Sequence, residues 1–217
     1  MKELSLIDEM LNLQNSLNIA TCGNDWTKGF TKENRLIDFA RCIYMECAEL
    51  VDSMPWKHWK SINASWDLEN IQIELVDIWH FILSLAIMQN KQIELKNTIS
   101  DFKFYKTDKN LNEILEYSRE LIHFSSAKTV NINDICNTFL HLTCKCDLEF
   151  NRLYKIYIGK NVLNKFRQDN GYKDGSYKKL WNGKEDNVIL YELLEQDEIN
   201  YDSLYKNLDD IYKNLKD

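Results

Sequence analysis

An apolar segment from Ile71 to Met88 constrains this chain more than any other feature of its sequence. Apolar residues occupy nearly every position, and a helix that is apolar on all sides must be buried on all sides. Glu74, Asp77 and His80 interrupt the segment, and the stretch after Asp77 is much shorter than the roughly 20 residues of a membrane span. The sequence therefore predicts a central core helix, from about Asn70 to Lys91, in a soluble protein.

Residues that break helices are rare in the chain. One proline and six glycines among 217 residues favour long helices over a sheet with many tight turns. The sequence therefore predicts an all-α fold, a helical bundle without a significant β-sheet. Apolar periodicity predicts further helices at 3–19, 109–125 and 131–157, and one from a cap at Thr31 or Asn34 to about Asp52. A helix should also begin at Val162 and give way to a loop-like stretch before Trp181. Residues 188–217 should form one or two helices, and residues 95–108 a loop or a short helix.

The net charge and the cysteine spacing indicate the cellular compartment of the protein and the kinds of partner it can bind. The net charge of −7 argues against sequence-independent nucleic-acid binding, which depends on a basic surface. The N-terminus lacks the apolar core of a signal peptide. The six cysteines form no C-x-x-C pair, which argues against zinc-ribbon and thioredoxin-like sites and favours reduced thiols. We therefore expect a cytoplasmic protein with no nucleic-acid or membrane partner.

Two acidic pairs lie on neighbouring predicted helices, Glu46-x-x-Glu49 and Glu74-x-x-Asp77. Helical residues three apart share a face, and the second pair lies in the apolar helix, where charge is unfavourable. Two carboxylates about 4 Å apart repel by roughly 4 kcal/mol at an effective dielectric constant of 20. If short-linked antiparallel helices bring the four acids together, they need protons or a cation. Oxygen-only donors favour Mg²⁺, with Mn²⁺ as an alternative.

A simpler interpretation stays open, in which the acidic residues are only solvated charges on helix surfaces. Glu46-x-x-Glu49 alone is a common pattern on solvated helix surfaces. That interpretation suits Glu74 and Asp77 less well, because their neighbours are apolar. His80 suits a core histidine that is hydrogen-bonded to a neighbour, or a group that binds substrate beside the metal.

A basic segment, residues 163–187, stands out in this acidic chain. It contains three of the six glycines and six basic residues, Lys165, Arg167, Lys173, Lys178, Lys179 and Lys184. Arginine and lysine on a glycine-bearing loop suit a polyphosphate, although a solvated surface loop would have the same composition. Together with a metal site, the segment indicates metal-assisted phosphoanhydride hydrolysis. The chain has no G-x-x-x-x-G-K-[ST] motif, so P-loop chemistry is excluded.

Several segments together carry a family pattern. They are Leu13-Gln-x-x-Leu-Asn18, Glu46-Cys-Ala-Glu-Leu-x-Asp-Ser-x-Pro-Trp-Lys57, Glu74-Leu-Val-Asp-Ile-Trp-His-Phe81, and Leu163-Asn-Lys-Phe-Arg-Gln-Asp-Asn-Gly-Tyr172 through Glu185-Asp-Asn187. With these segments the chain resembles the dimeric all-α dUTPases, which are dUTP/dUDP pyrophosphatases related to the MazG-type all-α NTP pyrophosphatases. The resemblance covers most of the chain.

The resemblance implies roles for the matching residues. The Mg²⁺ ligands would be Glu46, Glu49, Glu74 and Asp77. Glu49 would also orient or deprotonate the attacking water. The uracil and deoxyribose pocket would be lined by Gln14, Asn18 and His80. Further substrate contacts would come from Trp56, Lys60, Asn164, Arg167, Lys173, Lys179 and Asn187.

The resemblance also implies a reaction and an organisation. The reaction is Mg²⁺-dependent hydrolysis of dUTP to dUMP and pyrophosphate, or of dUDP to dUMP and phosphate, by water attack on the β-phosphorus in a homodimer. We expect one all-α domain over 1–217, divided into a metal- and base-binding core (1–94), a variable helical region (95–157), a phosphate-binding motif (158–190) and a C-terminal helical tail (191–217).

Three other functions stay open at this point. They are an all-α NTP pyrophosphatase with a preference for dCTP or a modified nucleotide, a di-iron carboxylate bundle, and a non-enzymatic helical adaptor. The di-iron bundle requires two E-x-x-H motifs, and Glu46-x-x-Glu49 supplies no histidine.

Overall fold

A computed structural model of the chain describes residues 2–59, 61, 65–196 and 201–215. Two compact units are present, Met1–Leu153 and Tyr154–Asp217. The prediction of a single domain stays a prediction. The helix that begins at Phe150 continues past the boundary between the units.

The first unit is helical. Its elements are α1 (Lys2–Cys22), a short 3₁₀ helix (Trp26–Lys28), α2 (Phe39–Asp52), α3 (Leu68–Met88), α4 (Gln92–Asp101), α5 (Leu111–Ser125), α6 (Ile132–Lys145) and the start of α7 (Phe150–Asp169). The second unit contains the rest of α7, a hairpin of β1 (Leu180–Trp181) and β2 (Lys184–Glu185), α8 (Asp186–Leu194) and α9 (Tyr201–Lys213). In the described residues the sheet is limited to this hairpin, so the all-α prediction is confirmed.

Helix α3 is the core helix of the first unit, as its composition predicts. It packs against α1, α2, α4 and α6. Trp79 stacks on Phe139 of α6 with ring centroids 5.3 Å apart, and its indole N–H points at the sulfur of Met10 at 3.3 Å. The helix is long and apolar enough to cross a membrane, but 72% of its most apolar window is buried within the protein. This burial is consistent with a soluble protein.

Helix α2 begins later than the sequence suggested. The predicted caps were Thr31 and Asn34, whereas the structure caps the helix with Asp38, whose side chain accepts a hydrogen bond from the Arg41 N–H at 2.9 Å. Asn34 adopts a left-handed backbone with φ of 58°. Because a helix cannot continue through that conformation, the chain instead turns at residues 32–33, and an antiparallel bridge joins Phe30 and Leu36.

The predicted helix over 131–157 is wrong as a single element. The structure ends α6 at Lys145 and starts α7 at Phe150. Asp147, between them, has a left-handed φ of 57°, which interrupts a right-handed helix. Helix α7 then extends past the predicted end, to Asp169.

The cysteines are all free thiols. Burial raises the pKa of Cys47 to about 12, and burial likewise raises the pKa of Cys146 to about 12. These two thiols therefore stay protonated at neutral pH, where a thiolate would be the reactive form. Both behave as small apolar core residues.

Candidate functional site

Helices α2 and α3 run antiparallel. Near the end of α2, the Ser53 carbonyl accepts a hydrogen bond at 3.1 Å from the backbone N–H of Asp67, just before α3. Farther from this junction, Glu46 of α2 lies beside Asp77 of α3. The sequence separation between facing residues of α2 and α3 is therefore small at this junction and grows away from it. That pattern defines an antiparallel pair, as the sequence predicted.

Three carboxylates gather between these helices. Oxygen atoms of Glu46, Glu74 and Asp77 all lie within 4.8 Å of one another. Glu74 is only 8% exposed, and the other two are half-buried. A cation would offset the repulsion among these carboxylates, and an all-oxygen donor set suits a hard divalent ion. The residues present therefore fit a divalent metal.

Glu49 has a different position from the other three predicted ligands. It is exposed and lies outside the cluster formed by Glu46, Glu74 and Asp77. It lines an open cavity of about 490 Å³ together with Glu74. The structure thus brings three of the four acids together and places the fourth on the wall of the adjoining cavity.

The three predicted base-pocket residues form one buried hydrogen-bond network. Nδ1 of His80 lies 2.6 Å from Oε1 of Gln14, and Nε2 of Gln14 donates to Oδ1 of Asn18 at 3.1 Å. Both amide nitrogens also donate to Oγ of Ser84, each at 2.9 Å. The sequence analysis missed Ser84, although its position four residues after His80 places it on the same helix face.

Aromatic side chains are exposed on the loop after α2. Trp59 is 64% exposed and Trp56 is 37% exposed, and their rings meet edge to face with centroids 5.7 Å apart. His58 also meets Trp59 edge to face, at 4.9 Å. The other predicted contact in this loop, Lys60, lies outside the described residues. Exposed tryptophans on a loop can stack on a base.

The second unit contains a buried fork of charges. Arg167 donates from Nε to Oδ2 of Asp186 and from Nη2 to Oδ1 of Asp186, both at 2.8 Å. The Tyr177 hydroxyl also donates to Oδ2 of Asp186 at 2.8 Å. Asp186, which sequence analysis missed, is fully buried. This pairing predicts that much of the role of Arg167 is structural.

Two further predicted residues meet this fork through their side chains. Asn164 accepts from Nη1 of Arg167 at 3.2 Å, and Asn187 accepts from Nη2 at the same distance. Asn187 accepts a second bond, from Nζ of the buried Lys160, at 2.9 Å. The remaining predicted contacts, Lys173 and Lys179, are exposed on the connection between α7 and the hairpin.

Comparison with known proteins defines the family. The model of a family described as dUTPase matches residues 6–172. The chain belongs to the all-α dUTPase family. The match includes the carboxylate cluster and the buried amide network, and it ends before the hairpin of the second unit. No curated protein matches the chain at a significant level. Membership of this dUTPase family supports dUTP hydrolysis and a nucleotide substrate.

Asn70 is a further residue beside the carboxylate cluster that sequence analysis missed. Its side-chain nitrogen donates to Oε1 of Glu74 at 3.1 Å and to Oγ of Ser53 at 2.7 Å. It therefore links the end of α2 to one carboxylate of the cluster. The spacing of four residues between Asn70 and Glu74 was visible in the sequence, but an amide at that spacing is common on exposed helices.

We expect Asn70→Ala to weaken divalent-cation binding by roughly 10- to 100-fold, the usual effect of removing a group that orients a ligand. Without Asn70, the Glu74 carboxylate can rotate away from Glu46 and Asp77. Titration calorimetry with Mn²⁺ measures the change. The matched control is Asn112→Ala, because Asn112 is an exposed asparagine on α5. Equal affinity in Asn70→Ala and the wild type would rule out this orienting role.

Proposed function

We propose that the protein is a Mg²⁺-dependent dUTP diphosphatase that converts dUTP to dUMP and pyrophosphate, and dUDP to dUMP and phosphate. The observation that carries the proposal is the cluster of Glu46, Glu74 and Asp77 between α2 and α3 in a chain of the dUTPase family. Bound Mg²⁺ supplies charge neutralisation for the phosphate chain. Mn²⁺ is the expected substitute, because it accepts the same oxygen donors.

Glu49 is the proposed general base, and it is also the proposed fourth metal ligand. Its carboxylate lines the same cavity as Glu74, which leaves room for a water molecule beside the cluster. Glu49 accepts a proton as the water oxygen bonds to the β-phosphorus. The bond between that phosphorus and the oxygen bridging to the α-phosphate breaks, and dUMP leaves with the bridging oxygen.

The buried amide network is the proposed base and deoxyribose site. Gln14, Asn18 and His80 offer hydrogen-bond donors and acceptors in a packed environment. Such a site rejects a base that leaves its polar groups unpaired more strongly than an apolar pocket does. Close packing would exclude the 5-methyl group of thymine. The further proposed substrate contacts are Trp56, Lys60, Asn164, Arg167, Lys173, Lys179 and Asn187.

The proposed biological setting is a cytoplasmic homodimer that removes dUTP from the nucleotide pool and supplies dUMP. Two alternative enzymes predict different results. A pyrophosphatase with another base preference would favour dCTP or a modified nucleotide. A di-iron enzyme would need histidine ligands, whereas the metal-ligand group found in the described part of the chain contains carboxylates only.

We expect the purified protein with Mg²⁺ to hydrolyse dUTP and dUDP at least about 100-fold faster than dCTP or dTTP, because a hydrogen-bonding site discriminates by two orders of magnitude or more. Chromatography of the products, with and without a chelator, measures this. In ¹⁸O-water the label should enter pyrophosphate and not dUMP. Equal rates on all four nucleotides would reject the dUTPase assignment and would leave a less selective pyrophosphatase.

A further inference from the structure

Ser84 lies at the centre of the amide network and is fully buried in α3. Its hydroxyl donates to the backbone carbonyl of His80, one turn earlier, at 2.8 Å. The same oxygen lies 2.9 Å from the side-chain nitrogens of Gln14 and Asn18. Three hydrogen bonds from two helices therefore converge on one oxygen atom.

The hydroxyl of Ser84 has a single proton, and the helix carbonyl of His80 takes it. The oxygen can then act toward the two amides only as an acceptor, through its two lone pairs. Gln14 and Asn18 must both turn their NH₂ groups toward Ser84. Rotating either amide by 180° would place its carbonyl oxygen against a lone pair.

This constraint extends to His80. With its nitrogen facing Ser84, Gln14 turns Oε1 toward Nδ1 of His80, 2.6 Å away. A carbonyl oxygen only accepts, so Nδ1 must carry a proton, and in the neutral ring Nε2 is then the acceptor. One serine hydroxyl thus determines which groups in the network donate and which accept.

Asn18 keeps hydrogen-bonding capacity for a ligand. Its nitrogen has two protons and its oxygen two lone pairs, and the network uses one of each. The Watson–Crick edge of uracil offers an acceptor at position 4 and a donor at position 3, and cytosine offers the reverse. A freely rotating amide could pair with either base, whereas an amide held in one orientation pairs well with only one.

We propose that Ser84 is a positioning residue that sets base specificity by holding the Asn18 amide and the His80 tautomer in one hydrogen-bonding polarity. This inference rests on the proposed function, in which Asn18 faces the base. Ser84 itself does not touch the substrate. Its effect is on the choice between uracil and cytosine.

The first test is Ser84→Ala, which removes the shared acceptor and lets the amides of Gln14 and Asn18 rotate together. The ratio of kcat/KM for dUTP to that for dCTP should fall by about tenfold or more, since discrimination depends on the mismatched pairing. Most of the fall should come from faster dCTP hydrolysis, which a general loss of packing would not produce. Ser84→Thr, which keeps the hydroxyl, should preserve the ratio.

The matched control is Ser125→Ala. Ser125 is also buried in a helix, and its hydroxyl donates to the carbonyl of Leu121 at 2.6 Å, but it lies on α5 outside the network. Its loss should leave the dUTP to dCTP ratio unchanged. An unchanged ratio in Ser84→Ala as well would overturn the inference and leave the dUTPase proposal intact.

The second test needs neither a variant nor activity. Nitrogen NMR of ¹⁵N-histidine-labelled wild-type protein should show His80 protonated at Nδ1. A proton on Nε2 alone would overturn the inference directly. If the wild-type protein shows no preference for dUTP, the proposed function fails, and the NMR result still decides whether the network has the hydrogen-bond polarity inferred from Ser84.

Discussion

Replacing Glu49 by glutamine should reduce kcat for dUTP by about 100- to 10,000-fold, the range for loss of a general base. Glutamine has the size of glutamate but accepts no proton from water. The three-carboxylate cluster of Glu46, Glu74 and Asp77 is untouched by the change. We therefore expect KM and divalent-cation affinity to change much less than kcat.

This experiment separates the two roles proposed for Glu49. If Glu49 is mainly a metal ligand, Mn²⁺ affinity should fall together with kcat, and high metal concentration should restore part of the activity. If it is mainly the base, metal concentration should have no such effect. Glu116→Gln, an exposed glutamate on α5, is the control. Activity near the wild-type level in Glu49→Gln, with circular dichroism unchanged, would remove Glu49 from the mechanism.

Asp186→Ala should destabilise the second unit by about 3–5 kcal/mol, as expected when one partner of a buried ion pair is removed. Arg167 is only 8% exposed, so its guanidinium would lose both hydrogen bonds to Asp186 and the compensating negative charge while staying buried. Because the chain has six tryptophans, the change is measured by urea unfolding followed by the ¹⁹F NMR signal of Trp181, which is fully buried in this unit, in fluorotryptophan-labelled protein.

A surface pair supplies the control for this substitution. Lys213 and Asp209 of α9 form an exposed ion pair at 2.6 Å, and exposed pairs contribute about 0–1 kcal/mol. Asp209→Ala should therefore have little effect. If Asp186→Ala is no more destabilising than Asp209→Ala, the Arg167 fork contributes little to stability.

The buried fork also determines a pH dependence. Burial raises the pKa of Asp186, but hydrogen bonds and charge from Arg167, with help from Tyr177 and Lys160, outweigh it and hold the pKa below its usual range. A depressed pKa in the folded state contributes stability above the unfolded pKa, and this contribution disappears as pH falls through the folded pKa. The stability difference between wild type and Asp186→Ala should therefore be largest near neutral pH and shrink in strong acid.

The sequence alone determined the helical class, the core helix and the acidic pairs. Each of these depends on local spacing, because apolar periodicity predicts which face of a helix is buried, and residues three apart share that face whatever the tertiary fold. The apolar run around Glu74 and Asp77 was visible without coordinates, and it predicted α3 to within a few residues. The family pattern similarly depended on short segments.

Tertiary structure decided the features that depend on two segments meeting. Left-handed residues Asn34 and Asp147 set helix boundaries that periodicity could not locate, because asparagine and aspartate also occur within helices. Only the packing of α2 on α3 separates Glu49 from the carboxylate cluster. Likewise, Ser84 gains its role from Gln14 and Asn18, about 70 residues earlier in the chain, because hydrogen-bond polarity is a property of groups in contact and not of sequence spacing.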